Sequence, residues 1–92
     1  MTLTMNSVVR RCPEIAHSDM DGEIVMMSIE QGEYYGIDAI GSEIWSMLEE
    51  ARSIQDICAT LCERYDVDES VCQQDVIRFL EQMVERKIIE TV

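Results

Sequence analysis

The sequence has few cations and no long apolar run, and these two shortages exclude several classes of protein. Its 92 residues include 7 lysines and arginines against 19 aspartates and glutamates, a net charge of −12. Nucleic acid binding needs clustered cations that release phosphate counterions, so a basic or neutral partner is favoured over nucleic acid. No apolar stretch approaches the ~20 residues of a membrane span. Met1 to Arg11 lacks the apolar core and cleavage site of a signal peptide. We therefore expect a cytoplasmic protein with no membrane partner.

Motifs that carry catalytic or cofactor chemistry are missing as well. The single histidine, His17, and the adjacent Ser18 point to opposite sides of a predicted strand, so they form no nucleophile–base pair, and no glycine-rich phosphate loop occurs. The four cysteines form no Cys-x-x-Cys pair. Cys58 and Cys62 lie four apart on a predicted helix, which admits two interpretations. One is half of a metal site; the favoured one is small buried side chains in a reducing compartment. We expect no enzyme, no cofactor and no metal.

The remaining composition, 47% hydrophobic and 28% charged residues, predicts one folded domain. The chain is organised around residues 21–45, where the period of the apolar residues changes from two to 3.6. Short turns at Asp19–Gly22 and Glu30–Gly32 predict an antiparallel meander of three strands. The predicted strands are Glu14–Ser18, Glu23–Ile29 and Tyr34–Ile37. Residues 1–12 are predicted to be an N-terminal tail or an extra strand, and residues 13–90 to be the functional domain.

Three amphipathic helices are predicted after the strands. The first runs from Ala39 to Glu50 with Asp38 as its N-cap, the second begins after Ser53, and the third runs from Asp68 to Arg86. Strands followed by helices indicate an α+β fold rather than a parallel sheet. The last two helices resemble a helix-turn-helix with the strands as its wing, so the predicted fold is a winged helix-turn-helix with a three-stranded antiparallel sheet.

Four ordered motifs resemble those of the PqqD family. They are Asp21-Gly22-Glu23-Ile24-Val25, Gly32-Glu33-Tyr34-Tyr35, Gly41-x-x-Ile44-Trp45 and Asp75-Val76-x-x-Phe79-Leu80. The resemblance covers most of the chain, from Pro13 to Ile89. The family's usual Leu-Asn before the first helix is Ile37-Asp38 here, and its usual late Gly-Leu is Lys87-Ile88.

This resemblance implies a recognition element for ribosomally made and modified peptides (RiPPs). Such a protein binds the leader segment of a precursor peptide and presents it to a leader peptidase of the cysteine-protease type or to another modifying enzyme. The short chain is most similar to the stand-alone proteins of lasso-peptide biosynthesis. The leader would add as a strand to the third strand and lie against the third helix. The residues so implied as leader-binding are Glu33, Tyr34, Tyr35, Gly36, Ile37, Asp75, Arg78, Phe79, Gln82 and Met83.

Other interpretations stay open at this stage. The chain is alternatively a PqqD-like peptide chaperone for a radical enzyme, or an acidic adaptor that dimerises through its edge strand. A monomer or a weak homodimer fits either case. A DNA-binding winged helix has nearly the same predicted fold, but the charge of −12 and the acidic third helix disfavour it.

Overall fold

The computed structural model describes residues 3–13, 15–21, 23–29 and 32–92. It confirms an α+β fold with antiparallel sheets and three helices. The three strands predicted around the two short turns form one sheet, β2 (Ile15–Met20), β3 (Glu23–Ser28) and β4 (Glu33–Ile37), in the order β2-β3-β4.

The predicted first turn was too long, because β2 continues to Met20. Asp19 pairs with Ile24 and Met20 with Glu23, so the register runs unbroken to a two-residue connection. Asp21 has a φ of 58°, the left-handed conformation that the first position of a type I′ hairpin turn requires. Gly22, Glu30 and Gln31, which the predicted turns also include, lie outside the described residues, as does Glu14 of the predicted first strand.

The structure has a second antiparallel sheet that the sequence did not predict. It consists of β1 (Val8–Arg11), β5 (Arg52–Ser53) and β6 (Ile89–Thr91) in the order β5-β1-β6. The single predicted sheet was therefore incomplete. Strand β1 lies where a tail or an extra strand was predicted, but its pairing with β5 and β6 was not predicted. These strands have two to four residues each and pair across large sequence separations, which local alternation of apolar and polar residues does not reveal.

The three helices are α1 (Ala39–Met47), α2 (Ile54–Arg64) and α3 (Glu69–Glu85). The predicted N-cap of α1 is confirmed, since the Asp38 side chain accepts a hydrogen bond from a backbone N–H of the first turn. Ser53 and Asp68, at the predicted starts of the other two helices, cap α2 and α3 in the same way. Helix α1 ends three residues before the predicted Glu50. Its last carbonyl, that of Met47, accepts a 2.7 Å hydrogen bond from Arg52 Nε instead of continuing the helical ladder.

The family's Gly-Leu motif, which is Lys87-Ile88 here, falls at the C-terminus of α3. Lys87 has a φ of 61°, and its N–H bonds to Val84 O while the N–H of Ile88 bonds to Met83 O. This pattern is the Schellman motif, which favours glycine at the left-handed position. The lysine therefore holds a conformation that costs about 1 kcal/mol relative to glycine.

The core lies between the two sheets and the three helices. Trp45 of α1 is 1% exposed. Its main-chain carbonyl accepts a hydrogen bond from Arg11 Nη2 at 2.6 Å, and the guanidinium carbon of Arg11 lies 4.4 Å from the centroid of the indole ring. Val9 and Ile89 of the second sheet are also buried, as is Ile88 just before β6. Apolar burial of this kind stabilises the fold at roughly 25 cal/mol per Å².

None of the helices in the described part of the chain has the length and apolar character needed to cross a bilayer.

Candidate functional site

Strand β4 forms one edge of its sheet and pairs with β3 alone among the described residues. The Ser42 hydroxyl accepts a hydrogen bond from the Ile24 N–H at 2.9 Å and donates one to the Ile37 carbonyl at 3.5 Å. The Ile24 N–H and the Ile37 C=O therefore both point into the gap between β3 and β4. Successive residues of an antiparallel strand alternate in the side to which their N–H and C=O point. The main-chain groups of Gly36 and Tyr34 therefore face the open edge.

The side chains of β4 divide between its two faces. Glu33, Tyr35 and Ile37 share the face toward the core, with Ile37 buried and Tyr35 half-buried. The Tyr35 hydroxyl donates to Glu33 Oε2 at 2.7 Å, and this hydrogen bond raises the pKa of Tyr35. Tyr34 and Gly36 share the opposite face and are exposed. A Cβ added at Gly36 would meet nothing within 4 Å, so the packing of this chain does not require glycine there.

Helix α3 lies beside this edge. The guanidinium carbon of Arg86 is 4.9 Å from the Tyr35 ring centroid, and the Phe79 ring lies 3.1 Å from the position of a Cβ at Gly41. We call the space bounded by β4, α1 and α3 at these two contacts the candidate groove. Asp75, Phe79, Gln82 and Arg86 are spaced four, three and four apart, so they fall on one face of the helix.

The predicted helix residues are not equivalent. Asp75, Arg78 and Gln82 are exposed, and Phe79 is half-buried. Met83 is 2% exposed and packs in the core cluster, so its side chain supports α3 from inside and does not line the groove surface. Ile37 is similarly buried at 8% exposure and offers main-chain atoms rather than its side chain.

A cavity of about 330 Å³ opens between α1 and α3 at the end of the groove nearest the β4–α1 junction. Apolar side chains and one glycine form most of its wall, and two carboxylates flank it. Its lining residues are Asp38, Ile40, Gly41, Ile44, Asp75, Val76 and Phe79. Its chemistry suits an apolar side chain that has a cation beside it.

Sequence reasoning missed three residues of this site: Asp38, Gly41 and Arg86. A signal existed for each. Asp38 directly follows the edge strand, Gly41 opens a motif of the family resemblance, and Arg86 lies seven residues after Phe79, two helical turns along the same face. No feature of the sequence indicated that the end of α3 approaches β4, since that contact joins residues far apart in the chain.

The cysteines lie elsewhere. None of the four forms a disulfide, and Cys58 and Cys72 are buried between α2 and α3. Burial, followed by hydrogen bonding with Cys62, raises the pKa of the Cys72 thiol to about 12. Across the described ranges, no group of three or more His, Cys, Asp or Glu side chains is arranged to hold a metal ion.

Comparisons with known proteins agree with the sequence resemblance. The profile of the family described as coenzyme PQQ synthesis protein D (PqqD) matches residues 23–89. Curated proteins show no significant match to the sequence. A solved structure described as TbiB1 in complex with the TbiA(β) leader peptide is 31% identical, with a TM-score of 0.83 over 88% of this chain and 94% of that one.

Two more distant structures share the fold alone. A lasso peptide synthetase B1 complexed with the leader peptide is 22% identical, with a TM-score of 0.80 over 89% of this chain and 96% of that one. The PqqD truncation of Methylobacterium extorquens PqqCD, described as a functional and stand-alone RiPP recognition element, is 14% identical. Its TM-score is 0.81 over 97% of this chain and 95% of that one.

Proposed function

The chain belongs to the PqqD family, and on that premise we propose that it is a non-catalytic recognition element for the leader segment of a ribosomally made precursor peptide of the lasso type. The similar TbiB1 structure contains a leader peptide, which supports this role. The family match over residues 23–89 supports it independently of any one relative.

The observation that carries the proposal is the open edge of β4 beside α3. Tyr34 and Gly36 each offer one N–H and one C=O there, which an extended peptide needs to add as a further strand. Main-chain bonding of this kind gives affinity without dependence on sequence. We therefore assign specificity to the side chains of the groove.

The groove chemistry indicates what the leader should contain. A leader side chain turned toward α3 enters the cavity beside Phe79, and Asp38 and Asp75 flank it with negative charge. We propose that this leader residue is apolar and that a lysine or arginine lies near it. Arg78 and Gln82 supply polar contacts on the helix side, while Glu33, Tyr34, Tyr35, Gly36 and Ile37 supply the edge.

Delivery to an enzyme completes the proposed role. A bound leader would hold the precursor near a leader peptidase or another modifying enzyme and raise its effective concentration there. We assign this function to residues 13–90 as a winged helix-turn-helix, acting in the reducing cytoplasm, where cysteines that form no disulfide persist as thiols. Dimerisation through β4 would occupy the same edge, and the net charge of −12 opposes it.

Titration calorimetry with synthetic peptides tests the proposal. The probes are the leader segment and the core segment of the precursor encoded beside this chain. One-to-one saturable binding to the leader and none to the core segment is the expected result. Binding to neither segment, by a chain whose circular dichroism shows it folded, would reject the recognition role.

A further inference from the structure

Three of the four cysteines meet where α2 packs against α3. Cys58 and Cys62 lie four positions apart on α2, so their side chains project from the same face of that helix. Cys72 approaches them from the first half of α3, and its thiol hydrogen-bonds with the thiols of both Cys62 and Cys58. One thiol of α3 therefore touches two thiols of α2.

The three thiols differ in their access to solvent. A cavity of about 480 Å³ opens beside α2, and its wall includes Cys58 and Cys62 together with the polar side chains of Gln55 and Gln73. Cys62 is half-buried, whereas Cys58 and Cys72 are 3% and 8% exposed. A small reagent that enters the cavity therefore reaches Cys62 first.

An accessible thiol in contact with a buried one is the arrangement of an attacking and a resolving cysteine. A single buried cysteine usually serves only as a small apolar side chain. Here Cys62 faces solvent on one side and Cys72 on the other, and the proposed leader binding uses neither thiol.

We propose that Cys62 and Cys72 form a reversible disulfide that joins α2 to α3 and weakens leader binding when a small organic disulfide, such as oxidised glutathione, accumulates. The effect on the leader rests on the proposed function, whereas formation of the bridge does not. In a reducing compartment the two thiols persist, and the bridge forms as the ratio of disulfide to thiol rises.

Two thiol–disulfide exchange steps make the bridge. The Cys62 thiolate attacks one sulfur of the small disulfide, whose S–S bond breaks, and the first small thiolate leaves and takes up a proton. The Cys72 thiolate then attacks the Cys62 sulfur and expels the second small thiolate, which is protonated in turn. The protein loses two electrons and two protons, and one small disulfide becomes two small thiols.

The surroundings of Cys72 fix the order of these steps. Burial, followed by hydrogen bonding with Cys62, raises the pKa of the Cys72 thiol, so its direct attack on an outside reagent is slow. Conversion of the Cys62 thiol to a mixed disulfide removes the second of these causes. Cys72 then lies beside the sulfur that it attacks, and this proximity offsets its weak ionisation.

The bridge acts on the candidate groove through α3. Cys72 lies one helical turn before Val76, which lines the cavity between α1 and α3 together with Asp75 and Phe79. A disulfide draws two sulfurs from non-bonded contact to about 2.05 Å. The first half of α3 must shift toward α2 to allow this. Because α3 is one wall of the cavity, the shift changes the shape that a leader side chain meets.

Peptide mapping after oxidation tests the bridge. The folded chain is equilibrated with oxidised glutathione, remaining thiols are blocked with N-ethylmaleimide, and the chain is digested with trypsin. Cleavage at Arg64 separates peptide 53–64, which holds both α2 thiols, from peptide 65–78, which holds Cys72. A bridge between the helices appears in mass spectrometry as these two peptides linked, with the loss of two hydrogens.

Four alanine variants, each checked for folding by circular dichroism, assign the pair. They are Cys62→Ala, Cys72→Ala, Cys58→Ala and, as matched control, Cys12→Ala, which removes a half-buried thiol outside the helices. The parent, Cys12→Ala and Cys58→Ala should give the linked peptides, and Cys62→Ala and Cys72→Ala should not. A link that persists in Cys62→Ala, or a parent chain that collects glutathione on Cys62 without any link, would overturn the proposal.

Titration calorimetry with the synthetic leader tests the consequence. Oxidised parent chain should bind the leader at least fivefold more weakly than reduced parent, and dithiothreitol should restore the affinity. Cys62→Ala treated in the same way should change by less than twofold. Equal affinities of bridged and reduced parent would refute the effect on the groove. If the reduced parent fails to bind the leader, the proposed function is rejected, and the peptide map still decides whether the bridge forms.

Discussion

Replacing Gly36 by proline tests the docking edge at a single main-chain atom. The main-chain N–H and C=O of Ile37 point toward Ile24 of β3, as their shared contacts with the Ser42 hydroxyl show. Those of the adjacent Gly36 must point the other way, so the Gly36 N–H faces the open edge. Proline removes this donor and leaves the bonds to β3 in place. Edge strands tolerate proline where the lost N–H faces solvent. The fold should therefore survive the substitution.

The expected loss of affinity follows from one hydrogen bond. A main-chain hydrogen bond contributes about 1 kcal/mol net, and an acceptor left without its donor costs about a further 1 kcal/mol at a partly solvated edge. The sum of ~2 kcal/mol weakens Kd by roughly 30-fold. Gly36→Ala is the matched control. It keeps the N–H and adds a Cβ where nothing lies within 4 Å, so its leader affinity should stay within about twofold of the parent.

Calorimetry with the synthetic leader measures both variants, and thermal unfolding checks that each is folded. A folded Gly36→Pro variant with the affinity of the parent chain would refute the argument from main-chain alternation. A large loss in Gly36→Ala as well would show that the outer side of β4 is sterically closed to the leader, against the open space beside Gly36.

The other predictions concern the helix wall, a strained cap, acid stability and a buried thiol. Phe79→Lys places a charge against the apolar cavity and should lower leader affinity at least tenfold by calorimetry, whereas Phe79→Leu should lose less. Lys87→Gly should stabilise the chain by about 1 kcal/mol in urea unfolding, since φ is 61° there. Hydrogen bonds from Tyr65 and Arg64 lower the pKa of Glu43, so they stabilise the folded chain while Glu43 is ionised. Their contribution to the free energy of unfolding is complete above the ordinary carboxyl pKa of about 4.3 and is lost as pH falls through the lowered pKa. The destabilisation by Tyr65→Phe should accordingly shrink in that acid range, and a constant difference would contradict the assignment. Its burial and raised pKa of about 12 together should make the Cys72 thiol react with a disulfide reagent at pH 8 at least ~10-fold more slowly than an exposed thiol of ordinary pKa, until denaturant exposes it.

The elements that the sequence predicted well are those fixed by neighbours in the chain. Asp38, Ser53 and Asp68 cap the three helices because a short polar side chain reaches an N–H two or three residues ahead. The meander followed from two short turns for the same local reason. Both kinds of signal are complete within a few residues.

The parts that the sequence did not predict depend on distant contacts. Strand β1 pairs with β5 and with β6, more than forty and about eighty positions away, and only the folded chain brings them together. The Arg86–Tyr35 contact of the groove is equally long-range. Met83 shows a different difficulty. The apolar arc of α3 is wide, and periodicity alone does not say which of its members turn to the core and which to the groove.

Amide hydrogen exchange measured by NMR, with and without the leader peptide, tests strand addition at β4 most directly. We expect the leader to slow exchange of the Tyr34 and Gly36 amides at least tenfold, since these N–H groups gain a partner. Amides of Tyr35 and Ile37 already point toward β3 and should change little. Unchanged exchange at Tyr34 and Gly36 under saturating leader would contradict strand addition, because the leader would then bind without pairing with β4.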